Sequence, residues 1–191
     1  MNKPNAHRYG WDLVRTEHPY THTMFKVRQD WVRWPDGVER PFTYIETPPV
    51  VQIIPVTCAG DIVLIRQYRY IPDAWFWELP AGGSYNFNGD DLADLARREL
   101  HEEIGGEAQA LQYLGTFRPG LGLLNEVIHT YLATGVELGT PDPEPGELIE
   151  IHPTSVDRAL EMARNGEIIS APSAYVLLRF EDLLRTLEIR Q

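Results

Sequence analysis

The stretch Arg98-Glu99-Leu100-His101-Glu102-Glu103-Ile104-Gly105 breaks the usual rules for placing charge on a helix, and the reading of the chain turns on it. An amphipathic pattern runs from Asp91 to Glu103, and at about 100° per residue its apolar side is marked by Leu92, Leu95, Ala96 and Leu100. Glu99 and Glu103 project on that same side, whereas Asp91, Asp94, Arg97, Arg98 and His101 take the opposite one and Glu102 sits at the border. Glu102 and Glu103 also fall in the last turn before Gly105-Gly106, where the negative end of the helix dipole disfavours an acid. Like charges three and four residues apart add about 0.2–0.5 kcal/mol per pair. A positive partner is called for. Arg98 can reach Glu102 one turn on, but Glu99 and Glu103 point elsewhere. A hard divalent cation, Mg²⁺ or Mn²⁺, suits carboxylates one helical turn apart. A surface patch of ion pairs is the simpler alternative.

Just upstream, Trp75-Phe76-Trp77-Glu78-Leu79 reads as a short buried strand, ended by Pro80-Ala81-Gly82-Gly83, whose bare backbone can offer carbonyls to a metal. The loop Ser84 to Gly89 then leads to Asp90, an expected N-cap or first-turn acid.

Gly82, Asp90 and the run Arg98 to Gly105 resemble the Nudix box, the loop-helix-loop signature of hydrolases that cleave a nucleoside diphosphate linked to another moiety. The family pattern is a Gly, five residues, a Glu, seven residues, then Arg-Glu-apolar-X-Glu-Glu-X-Gly-apolar. Here seven residues separate Gly82 from the acid, Asp90 replaces the Glu, and Gly106 stands where an apolar residue is usual. None of these departures removes a metal ligand. Arg66-Gln67-Tyr68-Arg69, Glu78 to Gly82, and the tail from Glu147 through Gly166-Glu167-Ile168-Ile169 and Pro172 are similar to the ADP-ribose pyrophosphatase branch. The resemblance covers roughly Val50 to Leu187.

The resemblance implies an α/β/α Nudix sandwich with a mixed sheet, in residues 47–191, preceded by a small N-terminal β subdomain, residues 1–46, that builds a homodimer. It implies Mg²⁺, with Mn²⁺ as the alternative, held by Glu99, Glu102, Glu103 and the Ala81 carbonyl, while Arg98 orients these carboxylates. A general base in this branch comes from an acidic loop, here Pro141-Asp142-Pro143-Glu144-Pro145-Gly146-Glu147, which makes Glu147 or Glu144 the candidate unless both are plain solvated acids. Glu126, after Pro119-Gly120-Leu121-Gly122, stands where the branch has a Glu near the ribose or the attacking water. With Gly82 at the diphosphate, Arg69 is expected on phosphate or terminal ribose. Arg66 either joins it or pairs with a carboxylate on the outer face. Glu78 either meets a ribose or the metal, or pairs with one of these arginines. His129 and His152 read as strand residues with ordinary partners, since the site prefers oxygen donors.

Composition agrees with this. At 191 residues and 43% hydrophobic content the chain can bury a core unaided, and no apolar run is long enough to span a membrane. The N-terminus lacks the pattern of a signal peptide, so a cytoplasmic location is expected. A net charge of −11 argues against nucleic-acid backbone as a partner, so the local positive charge for a small anionic diphosphate must come from metal ions, Arg66 and Arg69. Cys58 reads as a small core or turn residue.

Hairpins are expected over Met24 to Arg33 and Val38 to Glu46, around Pro35-Asp36-Gly37, and over Val50 to Thr57 and Asp61 to Tyr70, around Ala59-Gly60. Gln109 to Arg118 and Asn125 to Gly135 read as further strands, and three helices complete the pattern: the acidic one, one capped by Thr154 or Ser155, and one begun by Pro172. Trp31, Trp34, Phe42 and Tyr44 form an aromatic cluster on the first hairpin, or one of them stacks on an adenine. The expected reaction is Mg²⁺-dependent hydrolysis of ADP-ribose or a related nucleoside diphosphate sugar to a nucleoside monophosphate and a sugar phosphate. A GDP-sugar, NADH or dinucleotide is the runner-up. A ligand sensor without turnover is the non-enzymatic alternative, and the intact acidic triad speaks against it.

Overall fold

The computed structural model describes residue 3, residues 5–84 and residues 91–188, and the chain divides into two compact units. The first comprises residues 1–48 with 118–127, and the second holds the remainder. That the segment around Pro119-Gly120 groups with the N-terminal unit was not foreseen from sequence. The bridge between Ile45 and Leu124, with Ile45 N–H donating to the Leu123 carbonyl at 2.9 Å, ties it there.

In the first unit, β1 (Asp12–Thr21), β2 (Lys26–Arg33) and β3 (Glu39–Glu46) form an antiparallel sheet in that order. The β2–β3 turn closes as expected, Trp34 N–H donating to Val38 O at 3.0 Å. Strand β1 was not expected, because all ten of its residues are exposed and its sequence carries no alternation to read. It is an edge strand blunted by Pro19 and by two register shifts. The four aromatics do not form one cluster: Trp34 meets Trp11 at 4.9 Å with Arg40 4.6 Å over it, Phe42 meets Tyr44 at 6.4 Å, and Trp31, on the other face of the hairpin from Phe42 and Tyr44, lies 4.2 Å under Arg15.

Strand β2 turns Arg28, Asp30 and Val32 inward. Asp30 is fully buried and accepts hydrogen bonds from Arg28 Nε at 2.8 Å, Lys3 Nζ at 2.8 Å, Thr16 Oγ1 at 2.7 Å and Tyr44 OH at 3.2 Å. Burial by itself raises the Asp30 carboxyl, but Arg28, Lys3 and Thr16 outweigh it and hold the group well below the usual range. A carboxyl with a depressed folded-state pKa contributes stability above its unfolded value, about 3.9, and loses it as pH falls through the folded value. Asp30→Asn removes the nearer of the two carboxylates that face the buried Arg28, leaving Glu46 at 3.3 Å, and is expected to destabilise by about 1.5–3 kcal/mol at pH 7. The gap should narrow as pH falls below 4. Denaturant midpoints from pH 7 to 2.5, followed by tryptophan fluorescence, check this; a gap independent of pH would contradict it.

The second unit is built on β4 (Val50–Thr57), β5 (Ile62–Arg69), β6 (Ala74–Glu78), β7 (Ala81–Gly83), α1 (Leu92–Ile104), β8 (Gly106–Glu107), β9 (Ala110–Phe117), β10 (Ile128–Leu138), β11 (Ile149–Thr154), α2 (Val156–Asn165), α3 (Ala171–Arg179) and α4 (Glu181–Glu188). The sheet runs β11-β5-β4-β10-β8, with β6 on β5, β7 on β4 and β9 on β10. Strands β4 and β10 are parallel and the other pairs antiparallel, so the sheet is mixed, as expected. The two faces of β4 and β5 serve two cores. Val51, Ile53, Val63 and Ile65 meet Leu95, Ala96, Leu100 and Ile104 of α1 on one side. Ile54, Val56, Ile62 and Leu64 meet Leu160, Val176, Leu177 and Leu184 of the other three helices on the opposite side. Period-2 alternation on strands buried on both faces therefore produces the α/β/α sandwich.

Three expectations are corrected. The β6 segment is half-buried, with Trp75 exposed, because it pairs along β5 and leaves its outer face to surface contacts such as Arg66 over Trp75. Helix α1 is capped by Asp91, which accepts the Ala93 N–H at 3.0 Å; Asp90 and residues 85–89 of the loop before it lie outside the described residues. The C-terminal helix is two, since Phe180 ends α3 and α4 starts at once, giving four α-helices among the described residues. Ser155, of the two expected caps, takes the α2 N-terminus. Cys58 is an exposed residue of the β4–β5 turn.

Candidate active site

Helix α1 stops where Gly105 takes φ +62°, its N–H reaching the His101 and Leu100 carbonyls. A side chain there is doubly disfavoured, since a Cβ would stand 2.5 Å from the Gly139 carbonyl carbon. Gly139 N–H donates to Gly105 O at 2.8 Å, and Asp142 N–H to Glu102 O at 2.9 Å, so the start of the acidic loop is fastened to the last turn of α1. Within that loop Glu144 N–H donates to the Glu147 carboxylate at 2.9 Å. Asp142 was not singled out from sequence, although it shares the acidic composition that marked Glu144 and Glu147.

The face of α1 that should be apolar presents Glu99 and Glu103 to β7. Glu103 is 2% exposed, and its Oε2 accepts the Ala81 N–H at 3.1 Å. Glu99 sits against Gly82 so closely that a Cβ on Gly82 would overlap its carboxyl group. Gly82 is therefore needed for the room it leaves to Glu99. Strand β7 owes its place to β4, where Ala81, Gly82 and Gly83 pair with Gln52, Val51 and Val50.

The electrostatics are those of negative charges gathered in a dry place. Burial first, then Glu102, pushes Glu99 up to about 7 against the pull of Arg98, with Glu147 and Glu144 adding to the rise. Glu103 is driven well above the carboxylate range by burial, Glu147 and Glu99, which the Ala81 N–H and Arg69 only partly offset. Glu102 is raised by burial and by Glu144, Glu147 and Asp142, against Arg98, whose Nε lies 4.0 Å away. The expected Arg98–Glu102 pairing is thus present at the limit of an ion pair.

Arg69 makes a two-pronged pair with Glu78, Nε to Oε1 at 3.0 Å and Nη2 to Oε2 at 2.6 Å. It also feels Glu103 and Glu147, which places it on the α1 side of β5. Arg66, three residues back and so on the opposite face, lies 3.5 Å from Glu150 and within 6 Å of the Trp75 and Trp77 rings, at 5.8 and 5.9 Å. Glu78 is thus paired with Arg69, and Arg66 pairs with Glu150 on the outer face. Beside Arg69 and Glu78 opens a cleft of about 710 Å³, lined further by Tyr70, Ile71, Pro72, Phe76, Ile169 and Ser170, within the size range of small-molecule sites. Glu126 belongs to the first unit, half-buried, its carboxyl raised by burial. His129 lies beside the Tyr113 hydroxyl at 3.4 Å, and His152 lies 3.5 Å from Glu150 with its ring against Trp77.

These residues fit a hard divalent cation. The donors are all oxygen, they are buried or half-buried, and their mutual repulsion is what a cation would cancel. Among the described residues no three acidic, histidine or cysteine side chains converge tightly enough to hold an ion as they stand.

Comparison with known proteins agrees with the geometry. The model of the NUDIX domain matches residues 46–172, and the chain belongs to the NUDIX family. It is a hydrolase of that family, whose members generally use divalent metal ions and act on small nucleoside diphosphate compounds. It is 33% identical over 135 residues to an ADP-ribose pyrophosphatase of Mycobacterium tuberculosis, covering 70% of this chain and 65% of that protein. It is 28% identical over 179 residues to the methanol dehydrogenase activator of Bacillus methanolicus, covering 90% and 94% of the two. A solved structure described as an ADP compounds hydrolase superposes with a TM-score of 0.79 over 92% of this chain and 95% of that one, at 17% identity, a likeness of fold.

Proposed function

We propose that the chain hydrolyses the diphosphate bond of ADP-ribose or a closely related nucleoside diphosphate sugar, using Mg²⁺ or Mn²⁺, to give a nucleoside monophosphate and a sugar phosphate. The observation that carries the reading is the pair of carboxylates, half-buried Glu99 and buried Glu103, packed against Gly82 and Ala81, with a backbone N–H and the distant charge of Arg69 to offset Glu103. Glu99, Glu102, Glu103 and the Ala81 carbonyl would hold the ions. Divalent cations there supply charge neutralisation of the diphosphate and a lowered pKa for water.

The rest falls to the chain's own groups. Glu103 stays oriented through its bond to Ala81 N–H, and Glu99 through the space above Gly82. Arg98 steadies Glu102. Arg69, already held in line by Glu78, presents a cation on the same face of the sheet as the carboxylates, suited to a phosphate or a ribose. Glu147, whose charge is felt by both Glu99 and Glu103, takes the proton from the attacking water, with Glu144 holding its carboxylate by a backbone N–H. The relatedness to an ADP-ribose pyrophosphatase supports the choice of substrate. The fully exposed edge strand β1, with Leu13, Val14 and Tyr20 on its surface, supports a homodimer formed through the N-terminal unit.

Incubation with Mg²⁺ and a panel of ADP-ribose, ADP- and GDP-sugars, NADH and diadenosine polyphosphates, with products identified by mass, tests the substrate. AMP and ribose 5-phosphate from ADP-ribose at the highest kcat/KM is the expected result. Preference for a GDP-sugar or dinucleotide would replace the substrate, and tight binding without turnover would replace the enzyme by a sensor.

A further inference from the structure

The turn that carries Ala81 and Gly82 is also held from behind, on the face of the sheet away from α1. Ser173, in the first turn of α3, is fully buried. Its Oγ accepts the backbone N–H of Leu79 at 3.0 Å and Gln52 Nε2 at 3.1 Å, and lies 3.3 Å from Ser170 Oγ. A hydroxyl has two acceptor sites and one proton, so two bonds accepted and one donated to Ser170 satisfy it completely. Both donors belong to the neighbourhood of the metal-site backbone. Leu79 lies two residues before Ala81, and Gln52 is the residue of β4 that pairs with Ala81. Pro80 cannot donate, and its carbonyl is fixed by Ile53 N–H at 2.9 Å. The chain from Leu79 to Gly82 is thus pinned at Leu79 by Ser173, at Pro80 by Ile53, at Ala81 by Glu103 and at Gly82 by its pairing with Val51.

We propose that Ser173 is a positioning residue for the metal site, acting through the Leu79 N–H and Gln52 to set where the Ala81 carbonyl and N–H stand; this rests on the metal assignment made above. Among the described residues Ser173 is the side chain that accepts the Leu79 N–H, so removing the hydroxyl leaves that buried donor unpaired and loosens the hold on the turn from this side. Metal-site partners of this indirect kind change affinity by about 10- to 100-fold when lost.

The test is Mn²⁺ binding, titrated by the loss of the free-ion electron paramagnetic resonance signal, at a temperature well below unfolding of every variant. Ser173→Ala is expected to weaken Mn²⁺ binding by about 10- to 100-fold. Val176→Ala, an apolar truncation in the same helix core, should lower the melting temperature while leaving Mn²⁺ affinity within about twofold, since it touches packing alone. Should Ser173→Ala not fold, Ser173→Cys carries the test, because a thiol is a weak acceptor and at least about threefold weaker binding is expected. Mn²⁺ affinity of the folded serine variant within twofold of wild type, or an equal loss in Val176→Ala, would overturn the proposal. Wild-type binding that Glu103→Gln weakens and the serine variants do not would overturn it while leaving the metal site standing. No Mn²⁺ binding by wild type would remove the metal site itself.

Discussion

Glu103→Gln is expected to lower turnover by at least about 100-fold while the protein stays folded. The amide keeps the shape of the side chain, and its oxygen can still accept the Ala81 N–H. What is lost is an anionic ligand in a buried place. Stability should respond in the opposite sense to activity, because in the metal-free protein Glu103 is pressed by burial, Glu147 and Glu99. The variant removes that pressure, so its metal-free melting temperature should equal or exceed that of wild type. Mg²⁺ should stabilise wild type by mass action and the variant little. The wild-type increment should also grow with pH. Glu99 has a folded-state pKa near 7, raised above an unfolded value of about 4.3, so its contribution is present at low pH and lost as pH rises through 7. A bound cation competes with that proton and cancels the loss. Melting curves with EDTA or Mg²⁺ at pH 6 and 8.5, beside initial rates, check all three points. Near-wild-type rates, or an equal Mg²⁺ increment in the variant, would contradict the role given to Glu103.

Gly82→Ala should separate stability from function just as sharply. Its backbone is not in the left-handed region, so alanine meets no conformational penalty and by itself would stiffen the unfolded chain for a gain of about 0.4–1 kcal/mol. The added methyl, however, overlaps the Glu99 carboxyl group, which is the movable end of a long side chain and can swing aside at small cost. The expected outcome is a melting temperature within a few degrees of wild type with metal affinity and turnover down about 10- to 100-fold. Because the substitution acts through Glu99, the double variant with Glu99→Gln should be scarcely worse than Glu99→Gln alone. Additive losses in kcat/KM would show that Gly82 matters for another reason, such as approach of the diphosphate.

The parts of this molecule that could be read in advance are those written locally. Strands β4 and β5, the turns at Pro35-Asp36-Gly37 and Ala59-Gly60, the stop at Gly105 and the acidic face of α1 depend on periodicity, turn chemistry and charge placement along a few residues. The misplaced acids on α1 were visible for the same reason, since a helix wheel needs no tertiary contact. Other features depend on what approaches from elsewhere. The fit of Glu99 over Gly82, the Ala81 bond to Glu103, and Ser173 behind Leu79 join residues far apart in sequence, and nothing in Ser170-Ala171-Pro172-Ser173 distinguishes a buried junction from a helix start. Strand β1 was missed because exposure on both faces erases alternation, and the α3–α4 break because Phe180 is neither glycine nor proline. Asp91 caps α1, a role that backbone geometry assigns and that the local sequence, with two adjacent aspartates, does not mark.

Anomalous scattering from crystals of the wild-type protein soaked in Mn²⁺ tests the central claim most directly. The account predicts a manganese peak within ligating distance of the Glu99 and Glu103 carboxylates and the Ala81 carbonyl. Well-ordered crystals in which those carboxylates are satisfied only by arginine, lysine or backbone donors, with no peak between them, would contradict it.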